Sequence, residues 1–421
     1  MYRYGQEEID AATRVLRSGH WFRYGDPAAG HLQEAAQFEG ELARWTSSNH
    51  ACFTSSGTSA LMCCYAAMGL GPGDEVIIPG YTWIASATAA LAMGVIPVIV
   101  DIDESLMIDP DAIEGAITPR TRAIDPVHMN GFAADMDAIM TVARRHDLAV
   151  IEDACQACGG LWTNGRKLGA IGEMGAFSFN YFKTISCGDG GAFVTNDRTR
   201  FERGLILHDG GVVFRPHFAD LDVEPYCGLN LRGSEILAAI MRVQLSRLNA
   251  IIADLHSVRE RILDQLSERD GLTHIPFNGG YETGTGGYIG LRFEDSAKAR
   301  SFTAALNASQ AHGIHAYRAI TNSRHVYSNW TPVLEKAGSY VPARDPFKHP
   351  LNANAPAYSA DMLPRTLGIL ERAVLIPISP DWTPAQADEV AEAIRASVPR
   401  NGHRIAEAES ETAAAAPVAG S

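Results

Sequence analysis

From Asn49 to about Asp197 short apolar runs alternate with helical stretches, and no other feature restricts the fold as much. The runs are Glu75–Pro79, Val95–Asp101, Arg122–His128, Leu148–Asp153, Gly175–Phe179 and Ala192–Thr195. Each is too short for a stable helix, and most are continuously apolar, which is the pattern of strands buried on both faces. Helical stretches between strands carry the chain back and cover the faces of a parallel sheet. The alternation therefore predicts an α/β chain whose large domain is a mostly parallel mixed sheet covered by helices. Sheets of this kind gather their chemistry at the carboxyl ends of the strands, so functional residues are sought there.

Two strand ends stand out. Leu148-Ala149-Val150-Ile151 runs into Glu152-Asp153, and an acid in that place either faces the crevice or caps a following helix. Gly175–Phe179 leads through Asn180-Tyr181-Phe182 to Lys183, and Cys187-Gly188-Asp189-Gly190-Gly191 then opens a tight loop. Most lysines are solvated. One held by main chain on both sides can instead present a desolvated amine, which forms Schiff bases with aldehydes near neutral pH. Upstream, Thr54-Ser55-Ser56-Gly57-Thr58-Ser59 precedes a helical run from Met62 to Leu70. Small hydroxyl residues at a helix start leave N–H groups and the positive dipole end free for a phosphate. Trp83, in Tyr81-Thr82-Trp83, either stacks on a flat heteroaromatic ring or fills the core. Each signal has a bland explanation when taken alone. In this order the four are what one cofactor needs: a phosphate cradle, a ring stack, an acid at the pyridine nitrogen and a lysine for the aldehyde of pyridoxal 5'-phosphate.

On these residues the chain resembles the fold type I pyridoxal-phosphate enzymes and, among them, the DegT/DnrJ-type sugar aminotransferases, from about residue 5 to residue 400. Further strings carry the likeness: Gly73-Asp74-Glu75-Val76-Ile77-Ile78-Pro79, Ala116 to Ile124, Pro126-Val127-His128, Ile151-Glu152-Asp153-Ala154 and Gly188-Asp189-Gly190-Gly191-Ala192. The resemblance implies that Lys183 holds the cofactor as a Schiff base and shuttles a proton, while Asp153 pairs with the pyridine nitrogen. It places Gln156 near the ring hydroxyl, Trp83 on the ring, and Gly57, Thr58, Ser59 and Ser178 around the phosphate. Asn230 would reach the phosphate of the neighbouring subunit, which implies a homodimer with shared active sites. The implied reaction moves an amino group from glutamate or glutamine to a keto-sugar, nucleotide-linked, or to a keto-cyclitol, in amino-sugar or antibiotic biosynthesis. Arg23, His128, His325 and Tyr327 are assigned to the substrate pocket, each with an equal claim to a structural role.

The sequence also departs from the family pattern. Asn230-Leu231-Arg232-Gly233 stands where the family has Asn-Tyr-Arg-Met, and Asp125 stands before Pro126 where the family has an apolar residue. His208-Asp209-Gly210-Gly211 stands where the family has a shorter His-Gly pattern, and Val212–Tyr226 does not align with the family pattern. Other readings on the same scaffold are a lyase or dehydratase and, from another class, a regulator without turnover. The retained Lys183 argues against relatives that replace it to run dehydration, and with Asp153 it argues against a bystander.

The remaining sequence bounds the setting. A length of 421 residues leaves room for a second domain. A long helix from Ser234 to Leu266, with Ile236, Ile240, Val243, Leu248, Ile252 and Leu255 as its apolar stripe, leads into it. The strand Gly286–Phe293, the helix Ser296–Gln310 and a last helix opened by Thr383-Pro384-Ala385-Gln386 make that smaller domain α+β. The expected divisions are an N-terminal segment 1–30 with a helix (Glu7 to Arg17) and a loop reaching over the site, a large cofactor domain 31–255, a small domain 256–400, and a disordered tail 401–421. A net charge of −14 argues against nucleic-acid or acidic-membrane partners. No apolar run reads as long enough to span a membrane, and Met1 to His20, with five charged residues between Arg3 and Arg14, does not read as a signal peptide. Cys155 and Cys158 form a C-x-x-C without a second pair, so they read as reduced thiols and not as a metal site. A cytoplasmic location is expected.

Overall fold

Seven strands build the larger of two sheets in this computed structural model, which describes residues 3–213, 215, 218–266 and 271–399. They are β1 (His50–Thr54), β2 (Glu75–Pro79), β3 (Ile96–Val100), β4 (Thr121–Ile124), β5 (Ala149–Asp153), β6 (Met174–Ser178) and β7 (Gly191–Thr195), in the order β1-β7-β6-β5-β4-β2-β3. β7 runs antiparallel to both of its neighbours, and the remaining pairings are parallel. Every residue of β2, β6 and β7 is buried. Successive side chains of β2 enter different cores, Ile77 on one face and Val76 and Ile78 on the other, as strand geometry requires of a sheet covered twice.

Sequence reading missed β1, whose His50-Ala51-Cys52-Phe53-Thr54 sits at the sheet edge. It also extended the fourth strand too far. The ladder stops at Ile124 because Pro126 has no N–H to donate, and the Asp125 N–H turns to the carbonyl of Ile77 at 2.8 Å.

The second sheet is antiparallel: β8 (Thr273–His274), β9 (Tyr288–Arg292), β10 (Tyr317–Arg318) and β11 (Ala373–Pro377), in the order β10-β11-β9-β8. The helix Glu235–Leu263 joins the two regions, capped by Ser234 and packed against the helices Gln6–Ser18, Glu34–Thr46 and Pro384–Ala396. Being covered from several sides, it buries Ala238, Met241, Leu245, Leu248, Ile251, Leu255, Val258 and Ile262, each large one worth about 1.5–3 kcal/mol. Ile236, Ile240, Val243 and Ile252 of the expected stripe are only half-buried, so the stripe lies one position round the helix from its expected place. Glu235 turns back and accepts the N–H groups of Glu34 and Ala35 at 2.7 and 3.0 Å, which caps the helix Glu34–Thr46.

By length and composition this same helix could cross a membrane, which corrects the reading that no segment qualifies; its contacts are those of a core helix. Thr383 and Gln386 form the expected capping box. All seven cysteines are free thiols. The tail 401–421 lies outside the described residues.

Candidate active site

Asp153 ends β5 with 4 % of its surface exposed. Its N–H donates to the carbonyl of Pro126 at 3.0 Å, and its carbonyl accepts from the His128 N–H at 3.1 Å. The carboxylate accepts from Ser86 Oγ at 2.9 Å on Oδ2 and from the Cys155 N–H at 3.1 Å on Oδ1. Ser86 Oγ lies 2.8 Å from Thr82 Oγ. Turns, not a helix, follow β5, so helix capping is not what places an acid here.

Lys183 stands in the hairpin between β6 and β7. The hairpin closes through Phe179 N–H to the Gly190 carbonyl and Tyr181 N–H to the Gly188 carbonyl, both at 2.8 Å. Asn180 Nδ2 donates to Asp189 Oδ1 at 3.0 Å, and the Lys183 N–H donates to the Asn180 carbonyl at 2.9 Å. A Cβ on Gly191 would lie 2.3 Å from the Ser56 carbonyl carbon, so only glycine lets β7 pass this close to the phosphate-type turn. The Lys183 side chain is half-buried. Burial lowers its affinity for a proton, while Cys155 and Asp153 act in the opposite sense. Burial and then Asp153 push the Cys155 thiol well above its ordinary range, so it stays protonated beside the lysine.

The helix Gly57–Ala67 begins five residues before the expected run, which makes the cradle residues its first turn. Ser56 Oγ caps it, accepting from the Ser59 N–H at 3.0 Å, and Ser59 Oγ lies 2.8 and 2.9 Å from Ser56 Oγ and Ser55 Oγ. A Cβ on Gly57 would meet Cys155 Sγ and Ser178 Cβ, each at 2.8 Å. Cradle, Ser178 and the turn after β5 therefore converge at one point of the sheet's carboxyl edge. The donor set fits pyridoxal 5'-phosphate: hydroxyls and first-turn N–H groups for a phosphate dianion, a carboxylate for a ring nitrogen, and a desolvated amine for an aldehyde.

Trp83 and His325 are brought together, with ring centroids 5.0 Å apart, and Trp83 is 39 % exposed. Burial, then the nearby Lys183 charge, lowers His325 to about 4, so its imidazole is neutral. Gln156 is held back by its own partner, its Oε1 accepting the Asn130 N–H at 3.0 Å. Asn130 needs that support, since its φ is +53°.

Three of the proposed pocket residues are occupied elsewhere. His128 is fully buried, with Nδ1 accepting the Ala134 N–H at 3.1 Å and Nε2 lying 3.0 Å from Glu152 Oε2. Tyr327 is fully buried, and its hydroxyl accepts the Leu363 N–H at 2.8 Å. Arg23 is 8 % exposed and pairs with Glu39 at 2.5 Å, because a buried guanidinium needs an acid and Glu39 is the one beneath it. Asn230 is exposed, while the neighbouring Leu231 carbonyl accepts the Ser55 N–H of its own chain at 2.7 Å.

Sequence reasoning missed Ser86 and Cys155, which touch Asp153 and the cradle. Ser86 lies three residues past Trp83 on the next helix, and nothing local distinguishes it from the other small residues there.

Comparison with known proteins follows from this geometry. Residues 3–339 match the model of the DegT/DnrJ/EryC1/StrS aminotransferase family. The L-glutamine:2-deoxy-scyllo-inosose aminotransferase of Streptomyces kanamyceticus is 38 % identical over 265 residues, which cover 61 % of this chain and 61 % of the relative. The match thus spans less than two thirds of that relative's length. Among solved structures, 3-amino-5-hydroxybenzoic acid synthase superposes with a TM-score of 0.75 at 28 % identity, covering 94 % of this chain and 97 % of that one. S. venezuelae DesV, solved in complex with a ketimine intermediate, superposes at 0.73 with 32 % identity, covering 94 % and 95 %.

Proposed function

Because this chain belongs to the DegT/DnrJ/EryC1/StrS aminotransferase family, whose members use pyridoxal 5'-phosphate, we propose that it transfers an amino group from glutamine or glutamate to a polyhydroxylated ketone, a keto-cyclitol or keto-sugar. The observation that carries this reading is the meeting of three elements at one sheet edge: the Lys183 amine with its lowered proton affinity, the Asp153 carboxylate and the helix start at Gly57. When bound, the cofactor supplies an electron sink that labilises a hydrogen on the donor's α-carbon and carries the amino group.

The chain's residues have separable tasks. Lys183 Nζ takes and returns the proton at the reacting carbon. Asp153 holds the proton on the ring nitrogen, and Ser86 Oγ with the Cys155 N–H fixes the plane of that carboxylate. Ser56, Ser59, Ser178 and the first-turn N–H groups, those of Gly57 and Thr58 included, would hold the phosphate. Trp83 and the neutral His325 border the open side, with the Arg324 guanidinium 5.8 Å from the Trp83 ring.

The relative from S. kanamyceticus is named for glutamine and 2-deoxy-scyllo-inosose, which supports the same donor and acceptor class here, in amino-sugar or antibiotic biosynthesis in the cytoplasm. Incubating the loaded protein with glutamine and a panel of keto-cyclitols and keto-sugars should give an aminated product detectable by mass. Release of ammonia or water from the substrate without amination would replace this reading by lyase chemistry.

The same reading makes the active protein a homodimer with shared sites. Supporting it, Tyr181 and Phe182 on the Lys183 hairpin are 50 and 64 % exposed, and Leu229 beside Asn230 is 47 % exposed. Large exposed apolar side chains of this kind suit a contact with another copy. In a two-fold contact each Asn230 would serve the partner's phosphate. Mixing Lys183→Ala chains with Asn230→Ala chains, each poorly active, should restore activity on subunit exchange, since one site of the mixed dimer then carries neither defect. No recovery after demonstrated exchange would assign each Asn230 to its own chain.

A further inference from the structure

Asp125, the acid that follows the β4 ladder just before Pro126, is fully buried one strand away from Asp153. Its Oδ2 lies 2.5 Å from the hydroxyl of Tyr65, and that hydroxyl lies 3.4 Å from the Ser86 carbonyl. Ser86 Oγ then donates to Asp153 Oδ2 at 2.9 Å. The two acids are therefore the ends of one line, Asp125–Tyr65–Ser86–Asp153, running from the helix Gly57–Ala67 to the helix Ala85–Ala92. Asp125 Oδ1 is buried without a hydrogen-bond partner.

We propose that Asp125 is a positioning residue held as the neutral acid behind Asp153, so that Asp153 alone is the anion at the floor of the site. The geometry gives an ionised Asp125 too little support. The Tyr65 hydroxyl and the Asp153 main chain favour the anion, but Tyr65 Oη is its single side-chain partner, no basic side chain is among the groups acting on it, and a fully buried carboxylate without a cation is costly to keep. The groups facing it add no cation: Tyr65 and Cys64 from the helix, Asp153 from β5 and Cys155 from the turn beyond. Burial, and then the Asp153 charge, push the Asp125 carboxyl well above the ordinary carboxylate range. As the neutral acid, Oδ2–H donates to Tyr65 Oη, which turns its own hydrogen to the Ser86 carbonyl. Ser86 is thereby fixed by its main chain while its hydroxyl orients Asp153. The role toward the ring nitrogen rests on the proposed cofactor chemistry; the protonation state of Asp125 does not.

The pH dependence has a definite sign. An acid whose folded value is raised stabilises fully below its unfolded value of about 3.9 and loses that contribution as pH rises toward the folded value. The tests therefore begin on cofactor-free protein. Equilibrium unfolding in urea at a series of pH values should show the parent's folding constant falling with pH up to about tenfold per unit more steeply than that of Asp125→Asn. Parallel curves would overturn the proposal. The infrared spectrum of the parent at neutral pH should contain the carbonyl stretch of a protonated carboxylic acid that Asp125→Asn lacks and Tyr65→Phe shifts. If Asp125→Asn does not fold, absence of a Tyr65→Phe-sensitive band in the parent is equally fatal. On loaded protein, the alkaline transition in the cofactor's visible absorbance should move in Asp125→Asn. Superimposable titrations would show that Asp125 does not act through Asp153, whether or not the protein transaminates.

Discussion

Lys183→Ala should lower the transamination rate at least about a thousandfold, because the residue proposed to move the proton has no neighbour able to replace it. Lys183 sits half-buried in the β6–β7 hairpin with Cys155 and Asp153 acting on its amine, and burial favours its neutral, nucleophilic form. Its nearest acid–base neighbours cannot substitute. Cys155 is held protonated by burial, and His325, at about 4, is too weak a base. Borohydride reduction of the loaded parent followed by peptide mapping should place the cofactor's mass on Lys183, and the alanine variant should show none there. The fold should survive, with a stability change within about 1 kcal/mol, since the side chain contributes chemistry and not packing. Label on another lysine would refute the assignment, and so would an alanine variant that turns over near the parent's rate.

Asp153→Asn should still bind the cofactor, through the cradle and Lys183, yet lose about a hundredfold to a thousandfold in rate, the usual scale for removing one preorganised charge. The amide keeps the shape, but its one oxygen can accept from Ser86 Oγ or from the Cys155 N–H and not from both, so the loss would combine the missing charge with one missing hydrogen bond. Comparing kcat with KM separates the two: a fall in kcat with a nearly constant cofactor affinity is expected, whereas a loss confined to affinity would make Asp153 a mere anchor. Asp153→Glu should recover part of the rate. An asparagine variant as fast as the parent would move the ring partner elsewhere, and Asp125 would be the first residue to examine.

Much of the candidate site could be proposed from order along the chain because its parts are local. Lys183 needs only the apolar run before it and the glycines after it, and the cradle needs only small hydroxyl residues ahead of a helix. Strand identity followed from continuous apolar runs, and β1 escaped because its five residues begin with a histidine and end in the cradle sequence. The surroundings of the proposed pocket residues were not legible, for the opposite reason. Histidine and tyrosine are as often satisfied core groups as ligands, and His128 and Tyr327 are both buried and tied to a backbone N–H.

The sequence by itself determined the class of sheet, the kinds of chemistry present and their order: cradle, aromatic, acid, lysine. Local periodicity, helix-start chemistry and strand-end position settle those, and none of them needs a partner from far along the chain. Only the tertiary structure decided which distant side chains meet. The placement of β4 beside β5 sets Asp125 behind Asp153, and the packing of two helices on that edge puts Tyr65 and Ser86 between them. Glu39 meets Arg23 because the N-terminal loop folds back on the helix Glu34–Thr46. Such meetings depend on how connections cross the sheet, and a carboxyl group in a string of letters carries no mark of whether its neighbour in space is an arginine, a tyrosine or another acid.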